Sequence, residues 1–163
     1  MTDQPVAIIS AGASGIGLSC ARALAAAGYR VLTLDIDVEA VAAFEAEFGE
    51  GTAVVCDVSH PAQVETAFAS LTEACDRVDV LLNNAGIAGP QQPVEEIEVE
   101  AWQSTINTDL NSLFYLTRLV IPFMKTQRSG VILNMSSSAG RYGCPMRSPY
   151  VAAKWAAIGL AQT

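Results

Sequence analysis

The stretch Ser10-Ala11-Gly12-Ala13-Ser14-Gly15-Ile16-Gly17 decides the fold. It follows a short apolar run, residues 6–9, that predicts a buried strand, and it leads into an alanine-rich run, residues 18–27, with high helix propensity. A strand, a glycine turn and a helix in that order place backbone N–H groups and the positive end of a helix dipole where a phosphate can bind. Glycine is needed because a Cβ would block the tight turn or the approach of a pyrophosphate. The stretch therefore predicts a nucleotide site, although glycine clusters also serve as plain turns.

Composition bounds the class of protein. The 163 residues suit one domain, residues 1–163, and a content of 51% hydrophobic against 16% charged residues favours a compact fold over disorder. The net charge of −8 offers no basic stripe to displace counterions from phosphates, which argues against a nucleic-acid partner. No apolar run approaches the roughly 18 residues of a membrane span. Since residues 1–5 also lack a signal-peptide pattern, we expect a cytoplasmic protein without membrane contact.

The cysteines and the single histidine are too widely spaced for a metal-ligand cluster, so we predict no metal site. The cysteines are Cys20, Cys56, Cys75 and Cys144. We expect them to fill the core as small apolar groups. His60 precedes Pro61 at a predicted helix start, which favours a surface capping residue over a catalytic one.

The rest of the chain alternates predicted strands with predicted helices. Further strands are predicted at residues 30–35, 52–56, 78–83 and 131–135. Helices are predicted at residues 38–48, about 61–76, about 99–127, and from about 150 onward. Asp37 is predicted to cap the first of these helices, and Pro122 is predicted to kink or halt the third.

This alternation predicts the fold class. Strands and helices at short spacing favour an α/β fold, a doubly wound parallel sheet of the Rossmann type with helices on both faces. The dinucleotide-binding version of this fold has six strands, whereas the pattern contains five. The sequence stops at Thr163 inside a helical pattern, without a cap or a glycine stop. We therefore expect the chain to be truncated and to lack one or more C-terminal strands.

Asp35 is the candidate ribose-binding residue. It ends the second predicted strand, 18 residues beyond Gly17, which is close to the spacing at which an acid meets the adenosine ribose. Its carboxylate would accept hydrogen bonds from ribose hydroxyls and repel a 2′-phosphate, and no lysine or arginine lies in the glycine turn or around Asp37. This combination favours NAD over NADP. The alternative is that Asp35 only caps a helix.

Tyr150 and Lys154 are spaced i, i+4 and share one face of a predicted helix. A phenol ionises near pH 10 in water, which makes it a poor base at neutral pH. An ammonium about 6 Å away stabilises a phenolate by roughly 3 kcal/mol at an effective dielectric near 20. The pair could therefore exchange protons with a substrate, although this spacing alone is more often a solvated helix face.

Several motifs occur in a fixed order along the chain. They are the glycine stretch, Asp57-Val58, Asn83-Asn84-Ala85-Gly86, the serine run 136–138 and Tyr150-Val151-Ala152-Ala153-Lys154. Together they resemble the short-chain dehydrogenase/reductase family, and the resemblance covers all five predicted strands. It implies a nicotinamide cofactor and an alcohol or ketone substrate. It also implies that a sixth strand and a segment covering the substrate normally follow.

The resemblance implies a catalytic role for three residues. Tyr150 would be the general acid/base, Lys154 would favour its ionised form and hold the nicotinamide ribose, and Ser137 would donate a hydrogen bond to the substrate oxygen. Ser137 is selected because it lies thirteen residues before the tyrosine. Its neighbours Ser136 and Ser138 are left to loop hydrogen bonding.

The implied cofactor-binding residues lie in the glycine stretch and after the following strands. Asp57 and Val58 would flank the adenine, and Asn84 and Gly86 would line the cofactor cleft. The full set is Gly12, Ser14, Gly15, Ile16, Gly17, Asp35, Asp57, Val58, Asn84, Gly86, Tyr150 and Lys154.

The chain departs from the family pattern at two positions. Ala11 occupies the position of the first glycine, and if that position needs φ > 0 the alanine costs on the order of 1 kcal/mol. Asp109 occupies the position of a catalytic asparagine, while Asn107 and Asn111 are out of register. We expect Asp109 to serve the proton relay with an altered pH optimum, because its charge would disfavour ionisation of a nearby Tyr150.

The favoured function is an NAD-dependent oxidoreductase that moves a hydride between nicotinamide and an alcohol or ketone. The alternative is a truncated nucleotide-binding or interaction module without turnover. Epimerases and dehydratases of related fold are less favoured because their glycine spacing differs.

The substrate and the assembly are less constrained by the sequence. Arg141 and Arg147 would border the substrate pocket, where either could meet an acidic group, although loop arginines are more often solvated or at subunit contacts. The resemblance implies a homodimer or homotetramer paired through the long helix. A long helix that simply faces the core explains the apolar pattern from Trp102 to Ile121 equally well.

Overall fold

The structure, a computed structural model, describes residues 4–163, so residues 1–3 of the segment considered for a signal peptide lie outside it. Within that range the chain forms one sheet of five parallel strands in the order β3-β2-β1-β4-β5. The strands are β1 (Val6–Ser10), β2 (Arg30–Asp35), β3 (Ala53–Val55), β4 (Val80–Asn83) and β5 (Val131–Asn134). The order reverses direction at β1, so the carboxyl ends of β1 and β4 open a crevice of the kind that binds ligands in such sheets.

Helices connect the strands and cover both faces of the sheet. The helices are α1 (Gly15–Ala26), α2 (Val38–Phe48), α3 (Pro61–Thr72), α4 (Val99–Ile106), α5 (Ser112–Gln127), α6 (Ala139–Tyr142) and α7 (Ser148–Leu160). A 3₁₀ turn lies at Val94–Glu96, and a π-helical turn at Asn107–Asn111 joins α4 to α5. The doubly wound parallel sheet predicted from the sequence is confirmed.

The core has two halves, one on each face of the sheet. On one face, Ile8 and Leu34 pack with Val64 of α3 and Leu116 of α5. On the other face, Ile9 and Leu82 pack with Ala21 of α1 and Phe44 of α2. Successive residues of β1 thus point to opposite faces, and all five are buried. This rigid centre fixes where β1 ends and the glycine turn begins.

The long helix predicted at residues 99–127 is interrupted, but not at Pro122. The α-helical ladder breaks instead at the π-helical turn, and α5 then runs through Pro122 to Gln127. Proline has no backbone N–H, so the carbonyl of Arg118 lacks its helical hydrogen bond from residue 122. Pro122 is tolerated because both residues lie on the exposed side of the helix, where water can bond to that carbonyl. The prediction of a halt is therefore wrong.

The cysteines do not all fill the core. Cys56 is buried and Cys20 and Cys75 are partly buried, but Cys144 is exposed on the loop between α6 and α7. Its neighbour Gly143 has a positive φ of 73°, which is typical of a surface turn rather than a packed segment.

Over residues 4–163, every helix falls short of the length and apolarity needed to cross a membrane.

Candidate active site

The glycine turn between β1 and α1 has the geometry that its sequence predicts. Ala11 has φ 51° and Gly15 has φ 52°, so both adopt the left-handed conformation. Position 11 therefore does need a positive φ, and the Cβ of Ala11 makes this conformation strained, as expected. Gly12 N–H donates to Thr33 Oγ1 at 2.9 Å, and a Cβ on Gly17 would overlap the Ala11 carbonyl oxygen. The turn thus leaves no room for a side chain at Gly12 or at Gly17.

The exposed edge of this turn is formed by Ser14, Gly15 and Ile16. Ser14 is the N-cap of α1 and its side chain makes no capping hydrogen bond. The first N–H groups of α1 therefore face the crevice without a capping side chain. A phosphate at this helix N-terminus would meet both free donors and the positive end of the helix dipole.

Asp35 is a buried acid at the end of β2. Its Oδ2 accepts a hydrogen bond from Ala13 N–H at 3.0 Å, and its Oδ1 accepts one from Asp37 N–H at 3.2 Å. Helix α2 is capped by Asp37, which accepts hydrogen bonds from Glu39 N–H and Ala40 N–H. Asp35 is therefore not the cap of that helix. A carboxylate accepts about four hydrogen bonds, so Asp35 retains capacity for two ribose hydroxyls.

A first cleft of about 290 Å³ lies over the carboxyl ends of β1 to β4. We call it the adenine cleft after its expected occupant. It is lined by Ala11, Leu34, Asp35, Ile36, Cys56, Asp57, Val58, Ser59, Ala85, Gly86, Ile87, Ser104 and Thr108. Burial raises the pKa of the Cys56 thiol to about 11, so this side chain remains neutral and forms an apolar wall. Burial opposes ionisation of Asp57, but hydrogen bonds from Ser59 and the proximity of His60 outweigh it and lower the pKa of Asp57.

Asn84 holds the glycine turn against β4. Its side-chain amide donates to the carbonyls of Ser10 at 3.2 Å and Ala11 at 2.9 Å. Ser10 Oγ in turn accepts from Asn84 N–H and Ala85 N–H, each at 3.0 Å. These bonds lock the two strand ends on either side of the crevice.

A second cleft of about 240 Å³ contains the predicted proton-transfer pair. We call it the reaction cleft. It is lined by Ile16, Asn84, Gly86, Ile87, Ala88, Met135, Ser136, Arg147, Tyr150 and Lys154. Gly86 and Ile87 line both clefts, so the two form one groove that passes over Gly86. An extended ligand with two ends fits such a groove.

Lys154 is buried beside the tyrosine ring. Its Nζ lies 5.5 Å from the centroid of the Tyr150 ring, in the range of a cation–π contact, and donates to the Met135 carbonyl at 3.2 Å. The same Nζ lies 3.4 Å from Asp109 Oδ2, and the exposed fractions of the two side chains are 6% and 0%. The structure therefore brings Asp109, Tyr150 and Lys154 together.

Asp109 reaches this position from the π-helical turn, which is a frequent feature of functional sites. Its Oδ1 accepts a hydrogen bond from Ile87 N–H at 2.7 Å, while its Oδ2 contacts Lys154 and accepts no hydrogen bond from another described group. Burial raises the pKa of Asp109, against the lowering effects of Ile87 N–H and of Lys154. The neighbouring Asn111 donates a side-chain hydrogen bond to Asn107 at 2.7 Å.

Gly86 permits the contact between the two charged groups. A Cβ at this position would lie 3.1 Å from Lys154 Nζ and 3.2 Å from Asp109 Oδ2. Such distances are tighter than ordinary van der Waals contact, so any side chain here would press on the ion pair. The glycine keeps the floor of the groove open above it.

The serine run begins beside the reaction cleft. Ser136 lines the cleft, and its hydroxyl donates to the Lys154 carbonyl at 2.8 Å. Ser137 Oγ accepts from Ala139 N–H at 3.2 Å, which leaves its O–H free to donate. Ser138 is exposed and its carbonyl accepts the first hydrogen bonds of α6. The role predicted for Ser137 stays a prediction.

The residues of this groove fit a nicotinamide dinucleotide. The glycine turn has no space for a Cβ at Gly17, Asp35 has spare acceptor capacity, and the groove joins the adenine cleft to Tyr150.

Sequence reasoning missed Ser10 and Thr33, which support the turn from β1 and β2. Their signal was a hydroxyl side chain inside a buried apolar strand, where it must find a hydrogen-bond partner.

Comparisons with known proteins extend over nearly the whole chain. The family model described as short chain dehydrogenase matches residues 5–163. The 2-dehydro-3-deoxy-L-rhamnonate dehydrogenase (NAD(+)) of Sphingomonas sp. (strain SKA58) is 40% identical over 157 residues, which cover 96% of this chain and 63% of that protein. The chain spans about three fifths of the length of the curated relatives that it matches.

Solved structures show the same fold. The crystal structure of levodione reductase matches 96% of this chain and 63% of its own with a TM-score of 0.89 and 34% identity. A metagenomic short-chain oxidoreductase in complex with NADP matches 96% of this chain and 72% of its own with a TM-score of 0.89 and 33% identity. These relatives are oxidoreductases, and the family binds nicotinamide cofactors. The chain therefore belongs to the short-chain dehydrogenase family.

Proposed function

We propose that this chain carries the cofactor site and the proton-transfer residues of an NAD-dependent oxidoreductase that interconverts an alcohol and a ketone. The observation that supports this most directly is the groove that joins the glycine turn to Tyr150 and Lys154. A phenol beside a buried ammonium is suited to exchange the proton of a substrate hydroxyl.

Each residue has a distinct task in the oxidation direction. The Tyr150 phenolate accepts the proton of the substrate hydroxyl, while Ser137 donates a hydrogen bond that holds the substrate oxygen. Lys154 stabilises the phenolate through its charge, since its Nζ lies 5.5 Å from the ring centroid. When bound, the nicotinamide supplies the hydride acceptor. In the reduction direction Tyr150 returns the proton to the oxygen.

The preference for NAD over NADP is proposed from Asp35. Its buried carboxylate lines the adenine cleft, whose lining contains no lysine or arginine among the described residues. A 2′-phosphate placed near this carboxylate would meet a like charge without a compensating cation. Asp57 and Val58 would then contact the adenine from the opposite wall.

Asp109 is proposed as part of the proton relay. Its carboxylate holds the Lys154 ammonium at 3.4 Å and accepts a hydrogen bond from Ile87 N–H, so it ties the catalytic lysine to the floor of the groove. Because an anion near the phenol opposes its ionisation, the working pH range reflects both Lys154 and Asp109.

The test combines cofactor binding with turnover. Titration with NADH and NADPH, followed by fluorescence, should show clear binding of NADH and much weaker binding of NADPH. Tyr150→Phe should abolish turnover of alcohols and ketones while NADH affinity stays within about twofold, because the hydroxyl is needed for chemistry. Tyr142→Phe is the matched control, since Tyr142 is 85% exposed. Near-normal turnover by Tyr150→Phe would refute the mechanism, and NADH binding without turnover by the unmodified chain would favour a non-catalytic nucleotide-binding module.

A homodimer or homotetramer in the cytoplasm is proposed for the assembly and location. Trp102 on α4 and Phe114 on α5 are 37% and 52% exposed, which gives the long helical segment an apolar outer face. Light scattering of the purified chain measures the oligomeric state directly, and a monomer at micromolar concentration would contradict this assignment.

A further inference from the structure

The two arginines that precede the catalytic tyrosine differ in where they lie. Arg147 lines the reaction cleft together with Tyr150 and Lys154, and it is partly buried. Arg141, on the same connection between β5 and α7, is exposed and does not line that cleft. The cleft that is proposed to hold the substrate is therefore lined by the guanidinium of Arg147 and not by that of Arg141.

The surrounding backbone fastens Arg147 in place. Its Nη2 donates to Gln91 Oε1 at 3.2 Å, and the preceding carbonyl, that of Met146, accepts from Gln92 N–H at 2.9 Å. Met146 itself has φ 67°, a left-handed conformation that is strained for a non-glycine residue. Strain of this kind is retained where a particular placement of the chain matters. Here it directs the chain into the first turn of α7.

Within the described part of the chain, no acidic side chain pairs with Arg147. Among residues 4–163, no carboxylate lies within salt-bridge distance of its guanidinium. The other cation of the cleft, Lys154, is already paired with Asp109 at 3.4 Å. In a chain with a net charge of −8, an arginine without a carboxylate partner in a cleft is a site for an anionic ligand.

We propose that Arg147 binds the carboxylate of the substrate, so that the preferred substrates are hydroxy acids and oxo acids rather than neutral alcohols and ketones. This inference rests on the proposed function of the reaction cleft. The guanidinium offers a planar pair of N–H donors that matches a carboxylate, and its partial burial strengthens the interaction relative to one in water. Arg147 thereby selects the substrate class, while Tyr150 acts on the oxygen that reacts.

The experiment compares acids with their neutral esters in the unmodified chain and two variants. Pyruvate, acetoacetate and levulinate, each beside its methyl ester, are offered with NADH, and kcat/KM is measured for every pair. At least one acid should exceed its ester by about 10- to 100-fold. Arg147→Gln should remove that ratio, chiefly through a higher KM for the acid. Arg141→Gln, the matched control, should preserve it.

Two binding measurements separate this proposal from the proposed function. The Kd for NADH should be the same in Arg147→Gln and in the unmodified chain; a tenfold loss would mean that Arg147 serves a phosphate of the cofactor and would overturn the proposal. Calorimetric titration of acetoacetate into the NADH-saturated chain reports carboxylate binding without turnover. If no substrate is turned over but acetoacetate binds in an Arg147-dependent way, the proposed function fails, whereas the carboxylate site at Arg147 stands. Equal kcat/KM for acids and esters, or equal losses for both in Arg147→Gln, would overturn it.

Discussion

At the scale of single residues, the position that distinguishes this site is Asp109. The family resemblance implies an asparagine at this position, whereas this chain has a carboxylate that lies within a buried ion pair with Lys154. An ion pair of this kind does not simply add stability, because both groups lose hydration when they are buried. In the proposed mechanism, its effect is on the charge that faces Tyr150, because the carboxylate partly cancels the charge of the Lys154 ammonium beside the ring.

Replacement of Asp109 by asparagine tests this cancellation. With the carboxylate gone, the Lys154 ammonium acts alone on the ring, so we expect the acidic limb of the pH profile of alcohol oxidation to move to lower pH. The measurement is kcat/KM from pH 5 to pH 10 at fixed ionic strength. Asp76→Asn, at an exposed carboxylate, controls for the change in net charge. An unchanged profile in Asp109→Asn would show that Asp109 takes no part in the relay.

At the scale of elements, the junction of β1 with α1 is the part of the chain with least freedom. A Cβ on Gly17 would overlap the Ala11 carbonyl oxygen and come within 2.8 Å of both Asn84 Nδ2 and Gly12 Cα. Two of these atoms belong to backbone, which cannot move without dismantling the turn. The turn, the start of α1 and the crevice are therefore one unit.

Gly17→Ala should accordingly destabilise the chain and abolish cofactor binding. We expect the free energy of unfolding to fall by about 3 kcal/mol or more, as for severe overpacking. Gly159→Ala is the matched control, because Gly159 also lies in a helix and its Cβ would meet open space. That variant should gain up to about 1 kcal/mol from higher helix propensity. Urea unfolding and NADH titration measure both effects, and equal stability of the two variants would contradict the steric argument.

The elements also show how far sequence reasoning reaches. Both β2 and α2 have the predicted limits, because the apolar run of β2, the Asp37 cap and Gly49 are local signals. The π-helical turn was not predictable, because one extra residue in a turn barely changes the helical spacing of apolar residues along the sequence. Its cause is tertiary, since the turn directs Asp109 toward Ile87 N–H and Lys154. Helix α6 was missed for the related reason that its four residues are too few to show a period.

At the scale of the whole molecule, the site depends on contacts between distant segments. The motifs and their order were readable from the sequence, since each is local. The groove was not, because it requires Gly86 to pass between the ion pair and the ligand, and Arg147 to be held by Gln91 across 56 residues of sequence. Such contacts follow from the order of the strands in the sheet. The alternation of strands and helices predicts a doubly wound parallel sheet but does not give that order.

Opposite the site, at the amino ends of the strands, one residue links β1, β4 and β5. Asp79 accepts hydrogen bonds from Val6 N–H at 2.8 Å and from Arg77 Nη2 at 2.6 Å, and its own backbone bonds to Val6 O and Val131 N–H. Burial opposes its ionisation, but the hydrogen bonds from Arg77 and Val6 and the charge of Arg77 outweigh it and lower the pKa of Asp79. The stability of the sheet should therefore depend on pH through this residue.

The sign of that dependence follows from the direction of the shift. Because the folded chain holds this proton less tightly than the unfolded chain, Asp79 contributes stability above about pH 4 and loses it as the pH falls through the folded pKa. Asp79→Asn should lower the free energy of unfolding by about 1–2 kcal/mol at pH 7, and by less at pH 3.5. Urea unfolding followed by tryptophan fluorescence gives both values. Asp76→Asn removes the same charge from an exposed position and should change stability by less than about 0.5 kcal/mol. Equal losses in the two variants would show that net charge, and not the link between β1 and β4, governs acid stability.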